Sequence, residues 1–211
     1  MLTALNYYSR IHFISNLLPL IKSASALRRV VVVAGGGLEG HLDTTDFPAL
    51  RISLFAIRGH LCSLISLGLE ATARTAPEVS FVHDFPGAVN TALFTRMQGL
   101  RGVMIRLYVT LLGRWVCVPI EESGERHLYF ATSARFPSPS GNALTVPLGD
   151  GVEVAQGTTG AFGSGVYSLG WDGETASSAV QELLADMRDK GLVEEVWRHT
   201  ESEFKRITAN L

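Results

Sequence analysis

Short β-type runs alternate with helical periodicity along the chain. Residues 29–34 are an apolar, mostly branched run that ends in a glycine-rich segment, and residues 79–85 are a second run that ends at Pro86 and Gly87. Continuous branched runs are typical of parallel strands covered on both faces. The pattern therefore predicts two such strands, with a third at residues 166–169.

Apolar residues at helical spacing predict helices around these strands. One helix precedes the first strand and closes at Pro19 or shortly after it, and another lies at residues 54–65. Further helices are predicted within residues 97–120, at residues 121–133, and on both sides of Gly191. The alternation of helices and strands predicts an α/β fold of the doubly wound, Rossmann-like type, in one domain over residues 1–211.

Several segments together resemble the second half of a short-chain dehydrogenase/reductase, in particular a branch common in fungal secondary metabolism. They are residues 6–10 with 16–19, the strand and loop at 30–37, the Pro-Gly loop at 85–91, residues 125–128 with 131–133, and residues 163–167 with 171–173. The resemblance implies a truncated Rossmann-like remnant, with a three-stranded parallel sheet and flanking helices. It also implies a lid-like insertion at residues 97–133, followed by C-terminal helices at 176–211.

The catalytic pair of that family has no counterpart here. Its Tyr-x-x-x-Lys places fall near Ile52 and Ala56, and no tyrosine of the chain is followed four residues later by lysine. Hydride transfer in the family needs the phenol as acid and the lysine beside it. The pyrophosphate-binding half would lie upstream of residue 1, so we expect no cofactor.

One segment formally matches a dinucleotide fingerprint. Gly35-x-Gly37-x-x-Gly40 follows a strand, but residues 41–48 have loop composition and Pro48 opposes a helix, which the fingerprint needs after its glycines. We therefore interpret it as a flexible turn. The remnant would also leave the strand at residues 30–33 without its inner neighbour, and an apolar unpaired edge favours aggregation. Homodimerisation is the simplest cover for it, and the alternatives are a rearranged segment of this chain or another subunit.

Candidate site residues follow from the expected position of ligands beyond the carboxyl ends of parallel strands. The catalytic candidates are His60, Asn6, Tyr8, Arg58 and His83, and the substrate-binding candidates are Gly36, Gly37, Pro86, Gly87, Asn90, Met104 and Trp115. Histidine transfers protons near neutral pH, and Asn6, Tyr8 or Arg58 could orient a carbonyl group. The alternative for either histidine is a buried structural role.

Composition narrows the function further. The formal charge of −2 gives no basic footprint for nucleic acid. Only 18% of the residues are charged, and the mean hydropathy is +0.21, so apolar surface must be covered by the core, a partner or a ligand. Two cysteines without metal-ligand spacing predict no metal site. We find neither a secretory signal nor a membrane span and expect a cytoplasmic protein.

The segment at residues 97–120 allows three interpretations. A lid rich in apolar residues suits a hydrophobic small-molecule substrate. An amphipathic packing helix has the same periodicity. A peripheral membrane contact is the third alternative.

The leading function hypothesis is a cofactor-independent isomerase or cyclase that acts on a polyketide- or terpenoid-like intermediate. Positioning alone can supply large rate factors. The alternatives are a non-catalytic pseudoenzyme subunit and an NADP-dependent oxidoreductase whose cofactor half is absent from this chain.

Overall fold

The computed structural model of the chain describes residues 2–89, 91, 99–141 and 145–209. A π-helical turn, Ala4–Tyr8, continues directly into helix α1, Ser9–Ser23. The elements that follow are β1 (Arg29–Val33), α2 (Ile57–Ala73), β2 (Ser80–Asp84), α3 (Gly99–Val116), α4 (Ile120–Thr132), β3 (Val166–Leu169), α5 (Ser178–Asp189) and α6 (Leu192–Thr208).

The three strands form one parallel sheet in the order β1-β2-β3. Val31 of β1 pairs with Val82 of β2, which pairs with Tyr167 of β3. Every residue of β2 and of β3 is buried, as expected for strands in a sheet covered on both faces. The predicted α/β class with a three-stranded parallel sheet is confirmed.

Helices cover one face of the sheet, and an aromatic cluster covers the other. On the first face α1, α2, α5 and α6 share a core that includes Tyr7, Leu64 and Phe81. On the second face Phe130 of α4 packs with Phe136 and Tyr167. Because side chains alternate along a strand, neighbouring residues of β2 contribute to different cores. This alternation decides which partners the polar residues of β2 meet.

One helix boundary agrees with the expectation and one differs. Helix α1 ends at Ser23, four residues after Pro19; a proline within a helix loses its own N–H bond and crowds the carbonyl of the preceding turn, a local cost that this helix tolerates. Helix α2 begins at Ile57, because residues 54–56 form a turn that exposes Leu54 and Phe55. The apolar spacing that predicted an earlier start therefore included surface residues.

The two edges of the sheet are covered differently. Backbone bonds from Thr158 N to Val166 O and from Ala176 N to Ser168 O, each of 2.8 Å, cover the outer edge of β3. Beside β1, no further strand is paired within the part of the chain that the structure describes. Arg10 Nη1 donates to Val33 O at 2.9 Å at the end of that edge. The expected homodimer stays a prediction.

Candidate functional site

Two adjacent cavities lie at the carboxyl ends of the strands. The first, here the Arg58 cavity, has a volume of about 270 Å³ and is lined by Asn6, Ala34, Gly35, Leu38, Arg58, Leu61, Cys62, Ile65 and Phe85. The second, here the Trp115 cavity, has a volume of about 700 Å³ and is lined by Phe85, Gly87, Ala88, residues 114–119, Glu122, Arg126 and Trp171. Phe85 lines both cavities, which places them side by side. This is the position where parallel α/β sheets bind ligands.

The Arg58 cavity combines apolar walls with two polar groups. Asn6 donates from Nδ2 to Leu2 O at 2.9 Å, which fixes the orientation of its amide. Arg58 lies exposed in the first turn of α2 and carries the positive charge. Burial raises the pKa of the Cys62 thiol to about 12, so that this thiol is neutral and a poor nucleophile. The cavity can therefore hold an apolar molecule and orient a carbonyl or anionic group.

Aromatic and charged side chains form the wall of the Trp115 cavity. The Arg126 guanidinium lies 5.5 Å from the centre of the Trp171 ring, forms an ion pair with Glu122 and donates to Trp171 O. Gly87 has a φ of 76°, and a Cβ there would lie 3.2 Å from Trp171 and from Val118. The glycine thus lets the loop after β2 pass between these two residues.

A buried polar network holds the glycine loop after β1. Ser66 Oγ donates to Glu39 Oε1 at 2.6 Å and lies 2.9 Å from His83 Nδ1. Ser168 Oγ donates to the same Glu39 oxygen at 2.5 Å. Although burial opposes ionisation, the contacts with His83 and the two hydroxyl groups hold the pKa of Glu39 below its ordinary value. The lowered pKa and the two hydroxyl donors are consistent with an ionised Glu39.

The same network uses the amides of the glycine loop. Gly35 N donates to His83 Nε2 at 3.1 Å, and Gly37 N donates to Ser168 Oγ at 2.7 Å. Gly36 packs on the strand ends, because a Cβ there would lie 2.1 Å from His83 O. A phosphate cradle needs free amides at a helix N-terminus, whereas this loop leads into residues 41–53 and not into a helix. The loop does not fit a dinucleotide, in agreement with its interpretation as a turn.

His83 and Asp84 are neighbours in β2, so their side chains lie on opposite faces of the sheet. Asp84 points to the opposite face, where its Oδ2 lies 3.1 Å from His127 Nε2 of α4. His127 Nδ1 lies 2.6 Å from Ser123 O, and a carbonyl can only accept, so Nδ1 carries a proton. Asp84 Oδ2 and His127 Nε2 lie within ion-pair distance, but neither has a hydrogen-bond partner among the described residues. Burial raises the pKa of Asp84, and the adjacent His127 opposes this shift.

His60 and Tyr8 are occupied by other parts of the fold. His60 is buried, its Nδ1 accepts from Asp43 N at 3.2 Å, and its Nε2 lies 3.1 Å from Phe47 O. Burial lowers the pKa of His60. The Tyr8 hydroxyl lies 2.6 Å from Nε2 of His199 in α6, and burial raises its pKa. Neither residue lines the two cavities, so geometry brings only Asn6 and Arg58 of the catalytic candidates to them.

The substrate-binding candidates are also divided. Gly87 and Trp115 line the Trp115 cavity, whereas Gly36, Gly37 and Pro86 do not line either cavity. Met104 is 64% exposed on α3. Asn90 lies outside the described residues. No described residue of 99–118 lines the Arg58 cavity, and the lid-like segment contributes only to the Trp115 cavity.

Sequence reasoning missed the contact of Asp84 with His127 and that of Arg126 with Trp171. Residues 125–128, which include Arg126 and His127, and residues 171–173, which include Trp171, carried the family resemblance. Their spacing in the sequence did not predict these contacts. The period-two alternation of β2 could have placed His83 and Asp84 on opposite faces. Their partners lie too far away in sequence for any local pattern to reveal.

Residues 2–89, 91, 99–141 and 145–209 contain no group of three His, Cys, Asp or Glu side chains that could hold a metal ion. No helix in the same ranges combines the length and the hydrophobicity that crossing a membrane requires.

Comparison with known proteins identifies relatives in fungi. The chain is 41% identical to the oxidoreductase AN1596 of Emericella nidulans over 206 residues, which cover 95% of this chain and 60% of that protein. It is 33% identical to the oxidoreductase andH of Emericella variicolor over 209 residues, covering 97% of this chain and 60% of the relative. It is 28% identical to the short-chain dehydrogenase/reductase SAT2 of Stachybotrys chartarum over 200 residues, which cover 92% of this chain and 55% of that protein.

No family model matches the chain. The chain spans about 60% of the length of the first two relatives. These matches confirm the predicted resemblance: the chain is similar to fungal proteins named oxidoreductases and to one named a short-chain dehydrogenase/reductase, and its parallel sheet is consistent with that fold.

Proposed function

We propose that the chain binds a hydrophobic small molecule at the carboxyl ends of its strands and forms the substrate side of an oxidoreductase-like protein. The observation that carries the proposal is the pair of cavities that adjoin at Phe85, with Arg58 in one and two tryptophans in the other. The relatives named as oxidoreductases support the reaction class. A cytoplasmic location is part of this proposal.

Each cavity would contribute a different recognition element. The indoles of Trp115 and Trp171 offer broad apolar contact for fused or cyclic carbon skeletons. Asn6 and Arg58 offer donors that bind a carbonyl or carboxylate oxygen. A polyketide- or terpenoid-like ketone has both features, an apolar skeleton and a polarised oxygen.

Tryptophan fluorescence tests this arrangement directly. The third tryptophan, Trp197, lies on α6 away from both cavities, so Trp197→Phe leaves only the two site indoles as reporters. Titration with a polycyclic terpenoid ketone should quench the emission, and Arg58→Ala should weaken binding of the ketone by about tenfold. Binding of the matched hydrocarbon, which lacks the oxygen, should change little in the same variant.

Arg51→Ala is the matched control, because Arg51 is an exposed arginine that lines neither cavity. If the ketone leaves the emission of the Trp197→Phe protein unchanged, the cavities are not its site. If Arg58→Ala and Arg51→Ala weaken binding equally, the proposed role of Arg58 is wrong.

A cofactor-independent isomerase or cyclase is the second candidate. The observation that favours it is the buried carboxyl group of Asp84 at the carboxyl end of β2, 3.1 Å from His127, since carboxyl groups whose pKa is raised by burial often transfer protons. Mass spectrometry separates the candidates. An isomer has the mass of its substrate and forms without nicotinamide, whereas reduction adds two hydrogens and requires NADPH. A bound ligand that is converted under neither condition would favour the non-catalytic subunit.

A further inference from the structure

Helix α3 buries small residues and exposes large apolar ones. Its glycines at 102 and 113 are buried, and Val109 beside them is half-buried. Two neighbouring rows of large apolar side chains face outward, and together they are called here the apolar face of α3. One row consists of Val103, Leu107, Leu111 and Trp115, and the other of Met104, Tyr108, Leu112 and Val116. All eight are between 41% and 70% exposed. A helix at the surface of a globular protein normally shows the reverse pattern.

The charged residues in the segment that contains α3 have a single sign, and the nearest acidic side chain at the cavity beside Trp115 is Glu122 of α4, which is paired with Arg126. Residues 85–120 contain four arginines, at 96, 101, 106 and 114, and no aspartate, glutamate or lysine. The whole chain has a formal charge of −2, so this positive charge is local. Arg106 and Arg114 are exposed and lie on the side of α3 next to the row that begins at Val103. A partner that complements the face must therefore be apolar and also negatively charged.

We propose that α3 docks on an anionic lipid bilayer and lies in the plane of the interface. In this position the apolar face would enter the acyl boundary, while Arg106 and Arg114 reach the lipid phosphates. Tyr108 and Trp115 are the aromatic residue types that favour the interfacial region. A second copy of the chain fits less well, because pairing two α3 helices would bring their arginines together, and α3 itself contains no acidic residue to pair with them.

Vesicle sedimentation of the whole chain tests the proposal without any substrate. The protein should sediment with vesicles of about two parts phosphatidylcholine to one part phosphatidylserine, and only weakly with phosphatidylcholine alone. The double variant Leu107→Glu/Leu111→Glu should lose binding by at least about a hundredfold, since it places two charges in the acyl boundary. Arg106→Gln should reduce binding by about fivefold and weaken its dependence on salt.

The control variant Leu50→Glu/Phe162→Glu adds the same charge at two exposed apolar residues outside α3. It should bind vesicles as the unchanged protein does. All substituted side chains are exposed, so circular dichroism and melting temperature should stay constant and exclude unfolding as the cause.

Two results would overturn the proposal. The first is vesicle binding that is absent, or equal in the α3 and control variants. The second is a dimer in sedimentation velocity that only the α3 variant dissociates, because the apolar face would then be an interface between two copies. Ketone binding in the Trp197→Phe background is measured without lipid, so each proposal can fail independently of the other.

Discussion

At the residue scale, His60 shows how the fold can use every polar atom of a side chain that has catalytic potential. One ring nitrogen accepts from Asp43 N, and the other lies within hydrogen-bonding distance of Phe47 O, so the imidazole bridges the loop before α2. We expect His60→Ala to lower the free energy of unfolding by about 2 to 3 kcal/mol, because it leaves two backbone groups unpaired and opens a cavity. Urea denaturation measures this loss.

Asn6→Ala should differ from His60→Ala in its effect on stability. Asn6 lines the Arg58 cavity and is only partly buried, so Asn6→Ala should leave the melting temperature nearly unchanged. If the site is catalytic and Asn6 positions the substrate group that receives a proton, turnover of Asn6→Ala should fall by about a hundredfold. Stability and turnover measured on both variants distinguish the roles. A stable His60→Ala protein with reduced turnover would restore His60 as a catalytic candidate.

Asp84 gives a prediction about pH. Its folded-state pKa is raised by burial above the ordinary carboxyl value, so the proton it binds on folding stabilises the native state at low pH. This contribution is fully present below the unfolded pKa of about 3.9 and is lost as pH rises through the folded pKa. Asp84→Asn cannot ionise. The stability of the variant relative to the unchanged protein should therefore increase from acidic to neutral pH.

Chemical denaturation across that range checks the slope, with the exposed Asp150→Asn as the matched control. A variant that loses stability toward neutral pH would contradict the prediction. It would show that His127 is protonated and that the pair is held by charge rather than by a proton on the carboxyl group.

At the scale of elements, the glycine loop after β1 depends on close packing more than on flexibility. A Cβ on Gly36 would lie 2.1 Å from His83 O and 2.7 Å from Leu169 O, both backbone atoms of the strands. We expect Gly36→Ala to lower the free energy of unfolding by about 2 kcal/mol or more.

Gly124→Ala is the matched control for this substitution. Gly124 is an exposed residue within α4, and a Cβ there would meet nothing within 4 Å. This control should gain up to about 1 kcal/mol from helix propensity. Thermal unfolding of both variants tests the pair, and a Gly36→Ala protein as stable as the unchanged chain would mean that the strands can move apart.

Elements and site differ in how far the sequence can predict them. The strands near residues 30–33, 80–84 and 166–169 were predictable, because short β-type runs that end at glycine or proline have a local cause, the position of these residues in a covered sheet. The start of α2 was not, since Leu54 keeps helical spacing with Ile57 and Leu61 but is exposed in a turn. The Asp84–His127 pair joins residues from different elements. Only the packing of α4 on the sheet brings them together, and no periodicity contains that information.

At the scale of the whole molecule, the polar network leaves little room for a nicotinamide dinucleotide at the glycine loop. The amides of Gly35 and Gly37 already donate to His83 and Ser168. The chain alone should therefore bind no NADPH near physiological concentrations in isothermal titration. Micromolar affinity would contradict this expectation and would direct attention to residues outside this loop.

The outer edge of β1 gives the last prediction. Branched apolar residues form this edge, and α1 beside it exposes Phe13 and Leu20, so a symmetric partner would cover both features at once. The chain should sediment as a dimer at micromolar concentration, and Phe13→Glu should weaken the dimer by at least about tenfold. Phe162→Glu, an equally exposed substitution outside α1, should leave it intact. A monomer at every concentration would mean that β1 tolerates an open edge, which Arg10, bonded to Val33 O, then helps to protect.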